Sequence, residues 1–214
     1  MSEFRGVYFK GHTSNVDVMQ YALRLSNNTI DIKVIGCYFY WCMNGIAFEG
    51  NNNNAGEGLV VSYCHFVPVR YGIVSRKNTG NYLAIDNNHI AAHSRGILLG
   101  DSQTNGSNHS QVNNNLIFKS ATSTSGFVGI HVYAERCTII GNEIMNEGLS
   151  GSENGIVLDG SSFSRVIGNL CYRQDTGIWI KGNSNRNIVS DNIGDTVSNS
   201  VYNQGSNNLV NNNI

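Results

Sequence analysis

The chain has 214 residues, a formal net charge of −1 and only 14% charged residues. So neutral a surface offers no basic field for nucleic acid, and no run of about 18 apolar residues exists to span a bilayer. Met1-Ser2-Glu3-Phe4 lacks the basic region and apolar core of a classical export signal, so neither membrane insertion nor export through this segment is expected.

Residues 1 to 43 are the least regular part. Arg5-Gly6-Val7-Tyr8-Phe9-Lys10-Gly11 reads as a first strand unit, Val16 to Leu25 and Ile30 to Phe39 alternate as strands do, and Tyr38, Tyr40 and Trp41 form an aromatic cluster. A clear unit then begins at Asn44-Gly45-Ile46-Ala47-Phe48-Glu49-Gly50. It recurs as Tyr71-Gly72-Ile73, Arg95-Gly96-Ile97, Val128-Gly129-Ile130, Glu153-Asn154-Gly155-Ile156-Val157-Leu158-Asp159-Gly160 and Thr176-Gly177-Ile178-Trp179-Ile180-Lys181.

A second unit alternates with the first, as Ile85-Asp86-Asn87-Asn88-His89-Ile90, Val112 to Ile117, Ile140 to Ile144, Val166 to Leu170 and Val189 to Ile193, and again at Val210 to Ile214. Asn88, Asn115, Asn142 and Asn169 follow one another at steps of 27 residues. Stretches rich in Asn, Gly and Ser interrupt the units at Asn51 to Glu57, Asn78 to Asn81, Gly100 to Ser110, Ser120 to Ser125 and Glu147 to Ser152. Their regular placement predicts loops projecting from one side of a rod, a usual place for function.

A period in the twenties built from short β-branched segments predicts an all-β solenoid of stacked strands. Ile46, Ile73, Ile97, Ile130, Ile156 and Ile178 then form one inward column, and Phe48, Ser75, Leu99, Val132, Leu158 and Ile180 a second. Asn88, Asn115, Asn142, Asn169 and Asn192 form a ladder at a bend, where Asn tolerates left-handed backbone and each amide can bond the next. Cys64 and Cys37 take that place in earlier coils. The five cysteines, Cys37, Cys42, Cys64, Cys137 and Cys171, are odd in number and lack Cys-x-x-Cys spacing, so they read as buried free thiols of a protein made in a reducing compartment.

With both repeats in place, the chain resembles the right-handed parallel β-helix proteins of the pectate-lyase-like superfamily, bacteriophage tailspikes above all. The resemblance covers nearly all of residues 1–214 and implies about eight coils of a single β-helix, one segment of a longer chain. Because the repeat is already running at Gly6, a cut through a longer solenoid is expected at the N-terminus, and the uncapped strand pattern at Ile214 implies either a further missing domain or an end covered by other chains. The resemblance also implies a homotrimeric virion tail spike, made in the host cytoplasm, that binds bacterial surface polysaccharide (capsule or O-antigen) and cleaves it. It would contact other virion tail proteins through the missing terminal domains. A secreted or cell-surface bacterial protein is the alternative location.

The outward positions after each Gly-Ile carry the candidate chemistry. By coil they read Glu49, Arg76, Gly100, Tyr133, Asp159 and Lys181, flanked by Ala47, Val74, Leu98, His131, Val157 and Trp179. Asp101, Glu135 and Asp159 fall on three successive coils around His131 and Tyr133. As a glycosidase pair they would supply an acid and a base or nucleophile, while Tyr133 and Trp179 would be platforms for sugar rings. His131, Arg76, Lys181 and Glu49 complete a substrate-binding set. For a lyase, Tyr133, His131 and Arg76 would carry the reaction instead. Two further readings stay open: a non-catalytic carbohydrate-binding rod, and a structural spike segment whose exposed aromatics lie in subunit contacts.

No cofactor and no metal are expected. A further outward column, Tyr38, His65, His89, Leu116, Glu143 and Leu170, pairs His65 with His89, but Leu116 separates them from a third ligand. The paired-aspartate motif of polygalacturonase-like hydrolases and the Arg-x-Pro-x-x-Arg of pectate lyases do not occur in the sequence.

Overall fold

The strands of this repeat are too short to hold a fold alone, so each must pair with the coil before and the coil after. A computed structural model describes residues 2–12, 14–26, 29–49, 57–76, 81–102, 107–123, 126–146 and 153–214. Among them every regular element is a strand, and the chain winds as a right-handed parallel β-helix, the handedness that strand twist favours for parallel connections. Of the predicted Asn-, Gly- and Ser-rich loops, residues 51–56, 78–80, 103–106, 124–125 and 147–152 lie outside the described residues.

One sheet stacks nine parallel strands from Ser2–Arg5 to Leu209–Asn211. It contributes a single inward residue per coil, including Val34, Val61, Ile85, Val112, Ile139, Val166 and Val189, all buried. A second, 14-stranded sheet carries the Gly-Ile units and the part of the second unit that follows each ladder Asn, the part before it lying in the first sheet. There Ile46 pairs with Ile73, Ile73 with Ile97, Ile97 with Ile130, Ile130 with Ile156 and Ile156 with Ile178. The predicted second column, Phe48 to Ile180, stacks in the same register. Like residues therefore repeat at about 4.8 Å and close a continuous core along the rod.

The repeat glycine is a steric requirement. A Cβ on Gly129 would stand 2.8 Å from the Gly155 carbonyl oxygen, and one on Gly155 would stand 2.5 Å from that of Gly177. The Asn ladder also forms: Asn88, Asn115, Asn142 and Asn169 each donate both backbone N–H and side-chain amide to the Oδ1 of the next ladder Asn, at 2.9–3.0 Å. The left-handed residue is, however, the one before each ladder Asn: Asn87, Asn114, Gly141, Gly168 and Asp191 have φ between 55° and 64°. That residue turns the chain and leaves the next amide pointing into the rod. Cys64 and Cys37 follow Tyr63 and Gly36 in the same way, with φ of 56° and 60°. All five cysteines are free and buried.

A second corner is left-handed too, at Asp31, Tyr82, His109, Arg136, Phe163, Arg186 and Asn207. Here Ser110, Ser164, Asn187 and Asn208 supply the inward ladder. Lys119 and Glu153, 3% and 1% exposed, form an ion pair near the start of the Gly-Ile strands, and Asn146 donates to the same carboxylate at 3.2 Å.

Candidate functional site

Outward positions on the Gly-Ile strands were predicted to face solvent, yet Ala47 and Val74 are 0% exposed and Val157 is 2% exposed. The outer face carries a layer of its own. Ala47, Val74 and Leu98 form an apolar patch packed under Tyr21, Tyr71 and Tyr133, rings large enough to roof the short side chains beneath them. Below this patch Glu49 is paired with Arg76 and, at 3.4 Å, with Arg24. The two guanidiniums lie over Tyr71 and Tyr21 at 5.4 and 5.2 Å. Glu49 and Arg76 thus neutralise one another at one end of the face.

At the other end the sheet register brings a denser polar group together. Leu98, His131, Val157, Trp179 and Tyr202 are successive partners across the strands. Tyr133 N–H donates to Leu99 O, Asp159 N–H to Val132 O and Lys181 N–H to Leu158 O, so Tyr133, Asp159 and Lys181 stand on successive coils. Lys181 Nζ donates to Asp159 Oδ2 at 2.5 Å, and His131 Nε2 lies 3.4 Å from the same oxygen. Asn183 donates to Asp159 Oδ1 at 3.3 Å. The His131 ring stacks on Tyr133 with centroids 4.5 Å apart. Lys181 covers the Trp179 ring at 5.2 Å, and Trp179 Nε1 donates to Gln204.

The charge states follow from this packing. Burial, assisted by the Arg95 charge, pulls His131 down to about 4, so the imidazole is neutral at pH 7. Burial pushes Asp159 upward, but the Lys181 hydrogen bond and charge, with His131, outweigh it and hold the carboxyl below its ordinary value. Burial and the Asp159 charge raise Tyr133, keeping it a phenol. Burial lowers Arg95 while the nearby Tyr71 and Tyr133 oppose that shift. Asp159 accepts from His131 Nε2, which assigns the proton to Nε2 and leaves the lone pair on Nδ1. The result is a neutral base, a phenolic acid and two cations, Arg95 and Lys181, on one outward face.

Of the three carboxylates singled out in the sequence, only Asp159 is in this cluster. Asp101 is exposed beside Tyr133, whose proton its charge helps retain. Glu135 has passed round the corner and pairs with Arg136 at 3.3 Å, both exposed. The second outward column is registered as read, Tyr38 with His65, His65 with His89, and on through Leu116, Glu143 and Leu170. The His65 and His89 rings are 5.4 Å apart beside an open pocket of about 300 Å³. Among the described residues no group of three or more His, Cys, Asp or Glu could hold a metal ion.

Two members of the cluster were missed in the sequence. Arg95 precedes its Gly-Ile unit and was read as part of the repeat; the outward lie of that position, shared by Tyr71 and Asn44 in the register, is the signal that could have found it. Asn183 lies two residues past Lys181, where the motif had ended.

Residues 6–213 match the family described as periplasmic copper-binding protein (NosD). No curated protein matches the chain. Among solved structures it is similar to an alginate lyase from Paenibacillus sp. str. FPU-7, with 14% identity over 80% of this chain and 76% of that one and a TM-score of 0.41.

Proposed function

The chain belongs to the NosD family, and from that premise we propose that it binds an acidic bacterial surface polysaccharide on the outer face of the Gly-Ile strands and cleaves it by β-elimination. The observation that carries this reading is the neutral His131 imidazole, tied to ionised Asp159 and stacked on the Tyr133 phenol, with Arg95 and Lys181 beside it. A uronate residue has a carboxylate next to the carbon that loses the proton. Arg95 and Lys181 neutralise that carboxylate, so the charge developing on its oxygens in the transition state is stabilised. His131 Nδ1 takes the proton from C5, and Asp159 stabilises the imidazolium that forms. The electron pair becomes the C4–C5 double bond as the C4–O bond breaks, and Tyr133 donates its proton to the leaving oxygen. Trp179 and Tyr202, 6.2 Å apart on neighbouring coils, offer ring surface to flanking sugars.

Hydrolysis would require a protonated carboxylic acid opposite a second carboxylate. Asp159 is ionised and bound to Lys181, and Glu135 is engaged with Arg136 at the next corner, so the geometry favours elimination. The copper of the family's description does not fit these residues: Cys42, Cys64, Cys137 and Cys171 are buried thiols pushed up to about 12, and among the described residues the His65–His89 pair has no third ligand.

The periplasmic setting in that description favours a secreted or cell-surface location over a virion tail. A homotrimer is retained as part of the proposal and rests on the resemblance of the repeat to trimeric spikes. To test the function, wild type, His131→Ala and Tyr133→Phe are incubated with uronate-rich polysaccharides while absorbance of the unsaturated product is followed. Product from wild type and a loss of about 100-fold or more in each variant support the reading. Product from none, or equal product from all three, removes it.

A further inference from the structure

The left-handed corner that follows the candidate site carries an exposed ridge that the cleavage chemistry does not use. Tyr82, His109, Arg136, Phe163 and Arg186 have φ between 55° and 59° and all are exposed. Backbone bonds align them coil by coil: His109 N–H donates to Glu135 O, Arg136 N–H to Ser162 O, Phe163 N–H to Asn185 O and Arg186 N–H to Ser206 O. The five side chains thus line one edge of the rod over about 19 Å, four steps of strand spacing.

The ridge has a definite surface chemistry. Tyr82 and His109 stack with centroids 5.3 Å apart. The guanidiniums of Arg136 and Arg186, on the coils before and after Phe163, each lie 5.4 Å from its ring centroid. Phe163 is 45% exposed despite this cover. Among the described residues Glu135 is the acid that pairs with Arg136, and Arg186 and the adjacent exposed Arg165 form no ion pair. Charged residues are sparse in this chain, so three arginines against one carboxylate make a local positive edge on a nearly neutral protein. Left-handed backbone costs a non-glycine residue roughly 1 kcal/mol or more, yet large aromatic and cationic side chains occupy these positions.

We propose that this ridge is a second, non-catalytic binding track for an acidic polysaccharide chain laid along the rod axis. The two guanidiniums held by Phe163 stand two coils apart, about 10 Å, and take successive anionic groups of the polymer, while the ring edges of Tyr82, His109 and Phe163 contact the C–H faces of the sugars. Each coil that bears a site residue bears a ridge residue four or five positions later: His131 and Arg136, Asp159 and Phe163, Lys181 and Arg186. A polymer held on the ridge is therefore kept at high local concentration beside the site on the neighbouring face. The proposal rests on the reading of the site as acting on an acidic polysaccharide.

The test compares wild type, the double variant Arg136→Gln/Arg186→Gln, Phe163→Ser and Phe163→Tyr. Binding to immobilised polygalacturonate, to dextran and to vesicles rich in anionic lipid is measured on protein made inactive by His131→Ala. The ridge predicts polygalacturonate binding weakened about tenfold by the double variant and by Phe163→Ser, and restored by Phe163→Tyr. It also predicts loss of wild-type binding at about 1 M salt, where screening is nearly complete. On active protein, KM for the polymer rises in the double variant while kcat, and KM for a short oligosaccharide, stay as in wild type. Equal binding of dextran, preference for the vesicles, or unchanged polymer binding in the double variant overturns the proposal. Ridge-dependent binding by a wild type that forms no unsaturated product would instead remove the catalytic reading and leave the track standing.

Discussion

Replacing Asn142 with alanine removes the middle of the Asn ladder. Its Oδ1 accepts the Asn115 backbone N–H at 3.0 Å and the Asn115 side-chain amide at 2.9 Å. Its Nδ2 donates to Val112 O at 2.8 Å and to Asn169 Oδ1 at 2.9 Å. After the substitution the Asn115 amide keeps Ile85 O, and Asn169 Oδ1 keeps the Asn142 N–H. The Asn115 N–H is left without a partner at a site too enclosed for water, since Asn115 is 1% exposed. An orphaned buried donor costs about 1–3 kcal/mol and each lost ladder bond about 1, so the variant is expected to lose about 3–5 kcal/mol, a large share of the usual 5–15. Asn213→Ala removes the same kind of bonds to Asn192, but Asn213 is half-exposed and water replaces them, for a loss of about 1 kcal/mol. Urea denaturation followed by far-ultraviolet circular dichroism measures both, with the midpoint moving at unchanged slope. A loss below about 1 kcal/mol for Asn142→Ala, or equal losses in the two variants, would refute the argument that buried amide pairing holds the corner.

Three other outcomes follow from the same packing. Between pH 6.5 and about 4 the unfolded chain protonates the imidazole that the folded protein keeps neutral at His131; stability therefore falls as pH drops through that window, by on the order of 3 kcal/mol, and His131→Gln flattens this part of a pH–stability profile. Gly155→Ala drives a Cβ into the Cys171 thiol and the Gly177 carbonyl, both 2.5 Å away, and is expected to cost about 2 kcal/mol or more in a thermal or urea melt. Lys119→Met leaves the buried Glu153 carboxylate with the Asn146 amide but without the Lys119 charge, at about 3–5 kcal/mol, and adding Glu153→Leu recovers part of it while removing the acceptor of Asn146, which a double-mutant cycle reads directly.

The inward columns were legible in the sequence because a parallel solenoid repeats one environment at every coil, so Ile130 and Ile156 declare each other. The outer face was not, because nothing in alternation says that Tyr71 and Tyr133 will fold over Val74 and Leu98 and bury them. The same limit hid the site's composition. Asp159 and His131 were visible as outward residues on adjacent coils, but their charge states depend on Lys181, Arg95 and burial together. Glu135 falls on the coil next to Asp159 but lies beyond the end of the Val128–Val132 strand, where it pairs with Arg136 instead of joining the cluster. The Lys119–Glu153 pair escaped notice because its partners lie 34 residues apart, outside any repeat step.

The most direct test of the account is to cleave a uronate polysaccharide in water enriched in heavy oxygen and weigh the products. Elimination adds no water across the broken bond, so the account predicts products that carry no heavy oxygen from the cleavage step, each new non-reducing end unsaturated. Heavy oxygen incorporated at the cleaved ends, without unsaturation, would mean hydrolysis and would contradict the roles given to His131 and Tyr133.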